Sequence, residues 1–120
     1  MFQYQAEVLR WVDGDTVWLK IDLGFYTHRE TDVRLARINA PERVEWSLRG
    51  LVDEVKAYNE KRLPPGSVCI VEITKRDKYG RWLGEIRYLE GSSVREDILQ
   101  NGRVLNDELL ENGLVKVYKK

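Results

Sequence analysis

Cysteine is almost missing from this sequence, with one in 120 residues, so no disulfide framework is possible within the chain and stability must come from a packed core. The lone Cys69 lies in the apolar run Val68-Cys69-Ile70-Val71, the setting of a small buried hydrophobe rather than of a reactive thiol. Histidine is equally scarce: His28 stands alone in a polar stretch, which suits the surface better than metal ligation. No segment approaches the roughly 20 consecutive apolar residues of a membrane span. The opening "MFQYQAEVLRW" lacks the basic start and continuous apolar stretch of a signal peptide, so an intracellular protein is expected, with a host, phage or plasmid source all open. Repeats, linkers and low-complexity tracts are absent too, which leaves one domain over residues 1–120, expected as a monomer.

Net charge is the last absence. Twenty Lys and Arg balance twenty Asp and Glu, which on its face argues against avid nucleic-acid binding, since that affinity comes largely from neutralising phosphates. The average conceals an asymmetry, however. Lys75, Arg76, Lys78 and Arg81 stand against Asp77 alone, and acid gathers instead at Asp53-Glu54 and Asp107-Glu108-Glu111.

Residues 4–12 alternate loosely and reach Asp13-Gly14, a pair that favours a type I′ hairpin turn; Val17, Leu19 and Ile21 then fall on one face at period two. "LGFYTHRET" reads as a turn and strand edge, and "DVRLARI" as a third strand that Pro41 stops. Ser47 is placed to cap a helix carrying Leu48, Leu51, Val52, Val55 and Tyr58, ended by "LPPG" at 63–66. "SVCIVEIT" and "WLGEIRYL" are a fourth and a fifth strand about the polar turn "KRDKYGR". "EGSSVREDILQNGRV" suits a short helix and an extended hairpin equally. Asn106 is then the expected cap of a helix through Leu110, which Asn112-Gly113 ends, with "LVKVY" extended behind it. Five strands with a helix between the third and fourth is the element order of an OB-type barrel, an α+β, mainly β fold with two or three helices.

Asp15 shares the parity of Val17, Leu19 and Ile21, so it begins a strand on the core-facing side, where an unpaired carboxylate is costly. Arg34 as an ion-pair partner and a metal ion are both open answers. Asp15, the Asn39 amide and the Ala40 carbonyl are the kinds of oxygen that hard cations such as calcium take. Arg81, placed after Gly80, presents a planar fork able to grip phosphate in two places.

"DGDTV", "RLARINAPE", "DKYGR" and "NDELLENGLVKVY", in that order and separation, resemble the staphylococcal-nuclease-like (thermonuclease) family from about residue 6 to Tyr118. The resemblance implies an OB-fold enzyme that uses calcium to hydrolyse phosphodiester bonds of DNA and RNA with little sugar specificity, leaving 3′-phosphates. It implies metal ligation by Asp15, Asn39 and the Ala40 carbonyl, with Asp13 behind them. It implies further that Arg34 and Arg81 bind the reacting phosphate, that Glu42 orients the attacking water, and that Lys78 and Tyr79 line the nucleotide pocket. Asn39 stands where the family has an aspartate; one fewer negative charge predicts weaker calcium binding. About a dozen residues at 88–99 look inserted. The alternative is an OB-fold module that binds nucleic acid and cleaves it weakly or not at all.

Overall fold

Alternation at period two builds most of this molecule, and the strands curl until one side of the sheet meets the other. The computed structural model describes residues 2–39 and 49–117. In chain order the elements are β1 (Phe2–Asp13), β2 (Thr16–Asp22), β3 (His28–Leu35), β4 (Ile38–Asn39), α1 (Arg49–Arg62), β5 (Val68–Arg76), β6 (Trp82–Tyr88), α2 (Arg95–Asn101), β7 (Arg103–Val104), α3 (Leu105–Glu111) and β8 (Lys116–Val117). β1, β2, β3, β5 and β6 form a closed five-stranded barrel. The sheet runs β3-β2-β1-β5-β6 with antiparallel neighbours, and β3 closes it by pairing parallel to β6. This is an OB-type, mainly β architecture with three helices.

β1 is long because it serves two neighbours: Phe2–Glu7 pair with β5, while Ala6–Asp13 pair with β2. Register shifts near Arg10 and near the strand end bend it between the two tasks. Gly84 lies tightly packed at this closure. Parallel pairing sets Leu35 opposite Gly84, and a Cβ there would lie 3.0 Å from Val33 Cγ1, 3.1 Å from Val71 Cγ2 and 3.2 Å from the Glu72 carbonyl oxygen. Inside the barrel Val8, Val17, Leu19, Val33, Leu35, Val71 and Ile86 form one core. Cys69 is fully buried among them, and burial pushes its thiol up to about 12.

α1 packs against β1, fastened where the Trp11 indole N–H donates to the Leu63 carbonyl at 3.0 Å. Lys61 and Arg62 occupy its last turn, where cations suit the helix dipole, and Gly66 at φ +94° turns the chain into β5. Ser47, the expected cap, lies outside the described residues, as do Ala40 and Glu42. The ambiguous stretch is helical: α2 buries Ile98 and carries Glu96 and Asp97 in its first turn.

Three local expectations are corrected. Asp13 pairs with Thr16, so Gly14 and Asp15, not Asp13 and Gly14, form the hairpin tip. The Asp13 carboxylate accepts the Asp15 amide at 3.0 Å, so a side chain organises this turn. The third strand begins earlier, at His28, and breaks before Pro41, because Ala36 and Arg37 turn the chain between β3 and β4. Asn106, finally, does not cap its helix. α3 begins at Leu105 after Val104 with no side-chain cap, and the fully buried Asn106 amide serves the sheet instead. It accepts the Ile86 amide at 3.1 Å and donates to the carbonyls of Ala36 at 2.9 Å and Gly84 at 3.2 Å. That is the place where β3 parts from β6, so one side chain continues a ladder whose strand has left.

Asn106→Ala would orphan buried backbone groups at this junction. The expected loss is about 2–4 kcal/mol of unfolding free energy, read from urea denaturation. A loss below about 1 kcal/mol would show that the ladder closes without the amide.

Candidate active site

The junction of β3 with β6 brings together residues that are distant in sequence. One cleft of about 690 Å³ is lined by Asp15, Arg34, Arg37 and Asn39 on one side and by the β5–β6 hairpin on the other, including Lys78, Tyr79 and Arg81. Asp15 sits at the β1–β2 tip, and the Gly14 carbonyl beside it accepts the buried Asn59 amide of α1 at 3.0 Å. The helix thus holds the turn that carries the carboxylate.

Arg34 is the centre of the first half of the cleft. It is buried on β3 directly opposite Thr16, which brings its guanidinium to the β1–β2 tip. Nη1 donates to the Leu35 carbonyl at 3.1 Å, while Nη2 donates to Asn39 Oδ1 at 2.6 Å and pairs with Asp15 Oδ2 at 3.4 Å. The side chains of Arg34 and Asp15 are only 10% and 17% exposed, so water screens this pair weakly. Because Asp15 and Asn39 meet the same nitrogen, their oxygens converge on one point. The Asp15 and Arg34 readings of the sequence therefore describe one arrangement: the carboxylate does face the arginine, and it does so beside a second oxygen donor.

The second half is built by the turn between β5 and β6. Gly80 adopts φ +81°, which lets Asp77 fold back beneath the turn. Asp77 Oδ1 accepts the amides of Tyr79 and Arg81, both at 2.9 Å, and Oδ2 accepts Arg81 Nε at 2.8 Å. Burial alone would raise the Asp77 pKa. The two amides and the Arg81 guanidinium outweigh it and hold the carboxyl below its usual range. Arg81 is therefore gripped by one nitrogen, and among the described residues no acceptor meets Nη1 or Nη2. Its guanidinium lies 5.5 Å from the Tyr79 ring centroid, with Lys78 Nζ at 5.2 Å from the same ring. Tyr79 itself is exposed.

Among the described residues the donors that converge here for a cation are oxygens. Asp15 and Asn39 supply a carboxylate and an amide, and among the described residues no group of three or more His, Cys, Asp or Glu side chains gathers anywhere. That chemistry fits a hard cation of the calcium type and not a thiophilic one. Among the described residues Asp15 is the one carboxylate beside the Asn39 amide, and a second would bind such a cation more strongly.

A family model described as staphylococcal nuclease homologue matches residues 32–120. The chain belongs to that family. It is 30% identical over 110 residues to Endonuclease YhcR of Bacillus subtilis (strain 168), a match covering 83% of this chain and 9% of that protein. It is also 30% identical over 97 residues to an uncharacterized endonuclease of Escherichia coli O157:H7, covering 81% of this chain and 57% of that one. The chain thus spans little more than half of one curated relative and a small part of the other.

Within this nuclease-family domain, sequence reasoning passed over four residues that shape the cleft: Arg37, Asn59, Asp77 and Glu85. Asn59 did leave a signal. It is a polar residue one turn after Val55 on the apolar stripe of α1, and such a residue is buried for a reason. Asp77 stands three before a glycine, the pattern of a turn closed by a side chain.

The folded-state pKa of Asp77 lies below the unfolded value of about 3.9, so its stabilisation is present above that pH and is lost as pH falls through the folded value. Asp77→Asn should melt below wild type at about pH 6, with the gap closing toward about pH 2.5. A gap of equal size at both ends would show that the carboxylate's charge contributes nothing to the turn.

Proposed function

We propose that this domain is a metal-dependent nuclease that hydrolyses phosphodiester bonds of DNA and/or RNA with little discrimination between sugars, uses calcium, and leaves 3′-phosphates. One observation carries the reading. Two arginines from separate parts of the barrel, Arg34 and Arg81, line a single cleft, each oriented by a carboxylate. A phosphoryl centre lodged there would meet rigid forks from two directions, and phosphoryl transfer depends chiefly on such positioning and charge stabilisation. Family membership and the endonuclease relatives support the same chemistry.

Asp15 and Asn39, joined by the Ala40 carbonyl, would hold the cation; when bound, it supplies a positive charge against a phosphate oxygen. The remaining work belongs to the chain. Arg81, with Nε committed to Asp77, turns its two terminal nitrogens toward the phosphate as charge builds on the non-bridging oxygens. Arg34 stabilises the same charge from the β3 side. Glu42 aligns water for in-line attack and takes its proton. Tyr79 and Lys78 give the nucleotide an aromatic face and a cation at the rim. The alternative, a module that binds without cleaving, is disfavoured because the two arginines and the glutamate that cleavage needs are all present.

Purified protein should cut plasmid with calcium and stop when a chelator is added. Glu42→Gln should lose about 10²-fold or more in rate, and Arg81→Lys a comparable amount, because an ammonium cannot make two parallel bonds to phosphate. Undiminished turnover in folded Glu42→Gln would end its assigned role. Asn39→Asp adds a carboxylate of nearly unchanged size, so it should lower the calcium needed for half-maximal cleavage and increase the calcium-induced rise in melting temperature. Identical calcium dependence of both quantities would remove position 39 from the site.

A further inference from the structure

Arg37 does something that ordinary stability does not require. It is a non-glycine residue at φ +69°, in the turn between β3 and β4, and left-handed backbone of this kind costs about 1–3 kcal/mol unless its surroundings compel it. Its Nη2 donates to Glu85 Oε1 on β6 at 2.5 Å and to Asp107 Oδ1 on α3 at 2.6 Å. Those contacts, Asp107 first, raise its pKa, and a guanidinium keeps its charge at any working pH. Yet the Arg37 side chain is 45% exposed, and ion pairs this open to water contribute little to folding. Two carboxylates meeting one nitrogen orient the guanidinium instead. Among the described residues no acceptor meets Nε or Nη1, so a charged fork tied through one nitrogen keeps two donor nitrogens uncommitted at the cleft that Arg37 lines.

The balance of charge in that cleft shows what would meet them. The chain as a whole is neutral, but among the described residues six cationic side chains line the cleft against three carboxylates, Asp15, Asp77 and Glu85. Arg34 faces Asp15 and Asn39, whereas Arg37, three residues on, is tied toward β6 and α3. The two arginines therefore serve different points in the cleft.

We propose that Arg37 is a third phosphate-binding arginine, one that grips a backbone phosphate flanking the one attacked, and so makes this cleft a site for a polynucleotide strand rather than for a single nucleotide. This rests on the nuclease reading for the identity of the polyanion. Arg37 acts in ground-state binding, with Glu85 and Asp107 as the residues that aim it.

The test is binding of a short fluorescein-labelled single-stranded DNA oligonucleotide in chelator, measured by anisotropy across a range of salt. Arg37→Gln keeps a side chain on the left-handed backbone but loses the charge. It should bind roughly tenfold more weakly, and its log-affinity against log-salt slope should shrink by about 0.7, the value for one phosphate contact on a single strand. Arg37→Lys should keep the wild-type slope. Should the glutamine variant fail to fold, Arg37→Gly removes the charge while suiting the backbone, and the same slope change is expected of it. A wild-type slope in the charge-removing variants overturns the assignment. Wild-type protein that cuts plasmid with calcium while that slope is unmoved sinks Arg37 alone. Wild-type protein that binds without cutting sinks the nuclease reading and leaves Arg37 to stand or fall on the slope, and failure of wild-type protein to bind the oligonucleotide overturns the Arg37 assignment whether or not plasmid is cut.

Discussion

Everything in the cleft depends on the parallel meeting of β3 and β6. It spans three paired residues, Val33 with Trp82, Arg34 with Leu83 and Leu35 with Gly84, yet it joins the first three strands to the last two. Arg34 stands in the middle of that contact. The β5–β6 turn with Arg81 lies at its beginning, and the Ala36–Arg37 turn follows from its end. A barrel left open here would keep nearly all its antiparallel hydrogen bonds while separating the two arginines. Gly84, tight against Val33, Val71 and the Glu72 carbonyl, permits the approach, and Asn106 takes over the hydrogen bonding where the strands diverge. Backbone economy and site geometry are thus the same problem at this seam.

The strands and their order were readable because alternating burial is a local signal. Val17, Leu19 and Ile21 face inward as their spacing says, and "VCIVEIT" and "WLGEIRY" fall within β5 and β6. Asn106 was misread for the opposite reason. Before a helix, asparagine favours capping, but the unsatisfied groups at a distant strand junction outweighed that local preference. The hairpin tip moved by one residue because the Asp13 side chain, not a glycine conformation, organises the turn.

The cleft was legible only in part. The pairing of Asp15 with Arg34 could be suspected from the cost of a lone carboxylate at the core edge, and the structure brings the two together. Bringing Arg81 into the same cleft needs the topology, which no spacing along the chain reveals. Arg37 gave no signal, since nothing in "RLARIN" announces a left-handed arginine, and its partners come from 48 and 70 residues away. Asn59 and Asp77 were visible as residue types at odd positions, but their importance emerges only when their partners, the Gly14 carbonyl and the Arg81 guanidinium, are in place.

Cys69 carries a consequence of a different kind. It lies in mid-strand on β5, opposite Ala6 of β1, without exposed surface and with its thiol pushed up to about 12. A thiol-modifying reagent attacks the thiolate, and it needs room to reach the sulfur. In the closed barrel both conditions are withheld, whereas the unfolded chain offers an accessible thiol of pKa about 8.5. Labelling of this single sulfur is therefore a clock for the opening of the barrel: its rate counts the excursions in which β5 is laid bare, and it does so without any reference to catalysis.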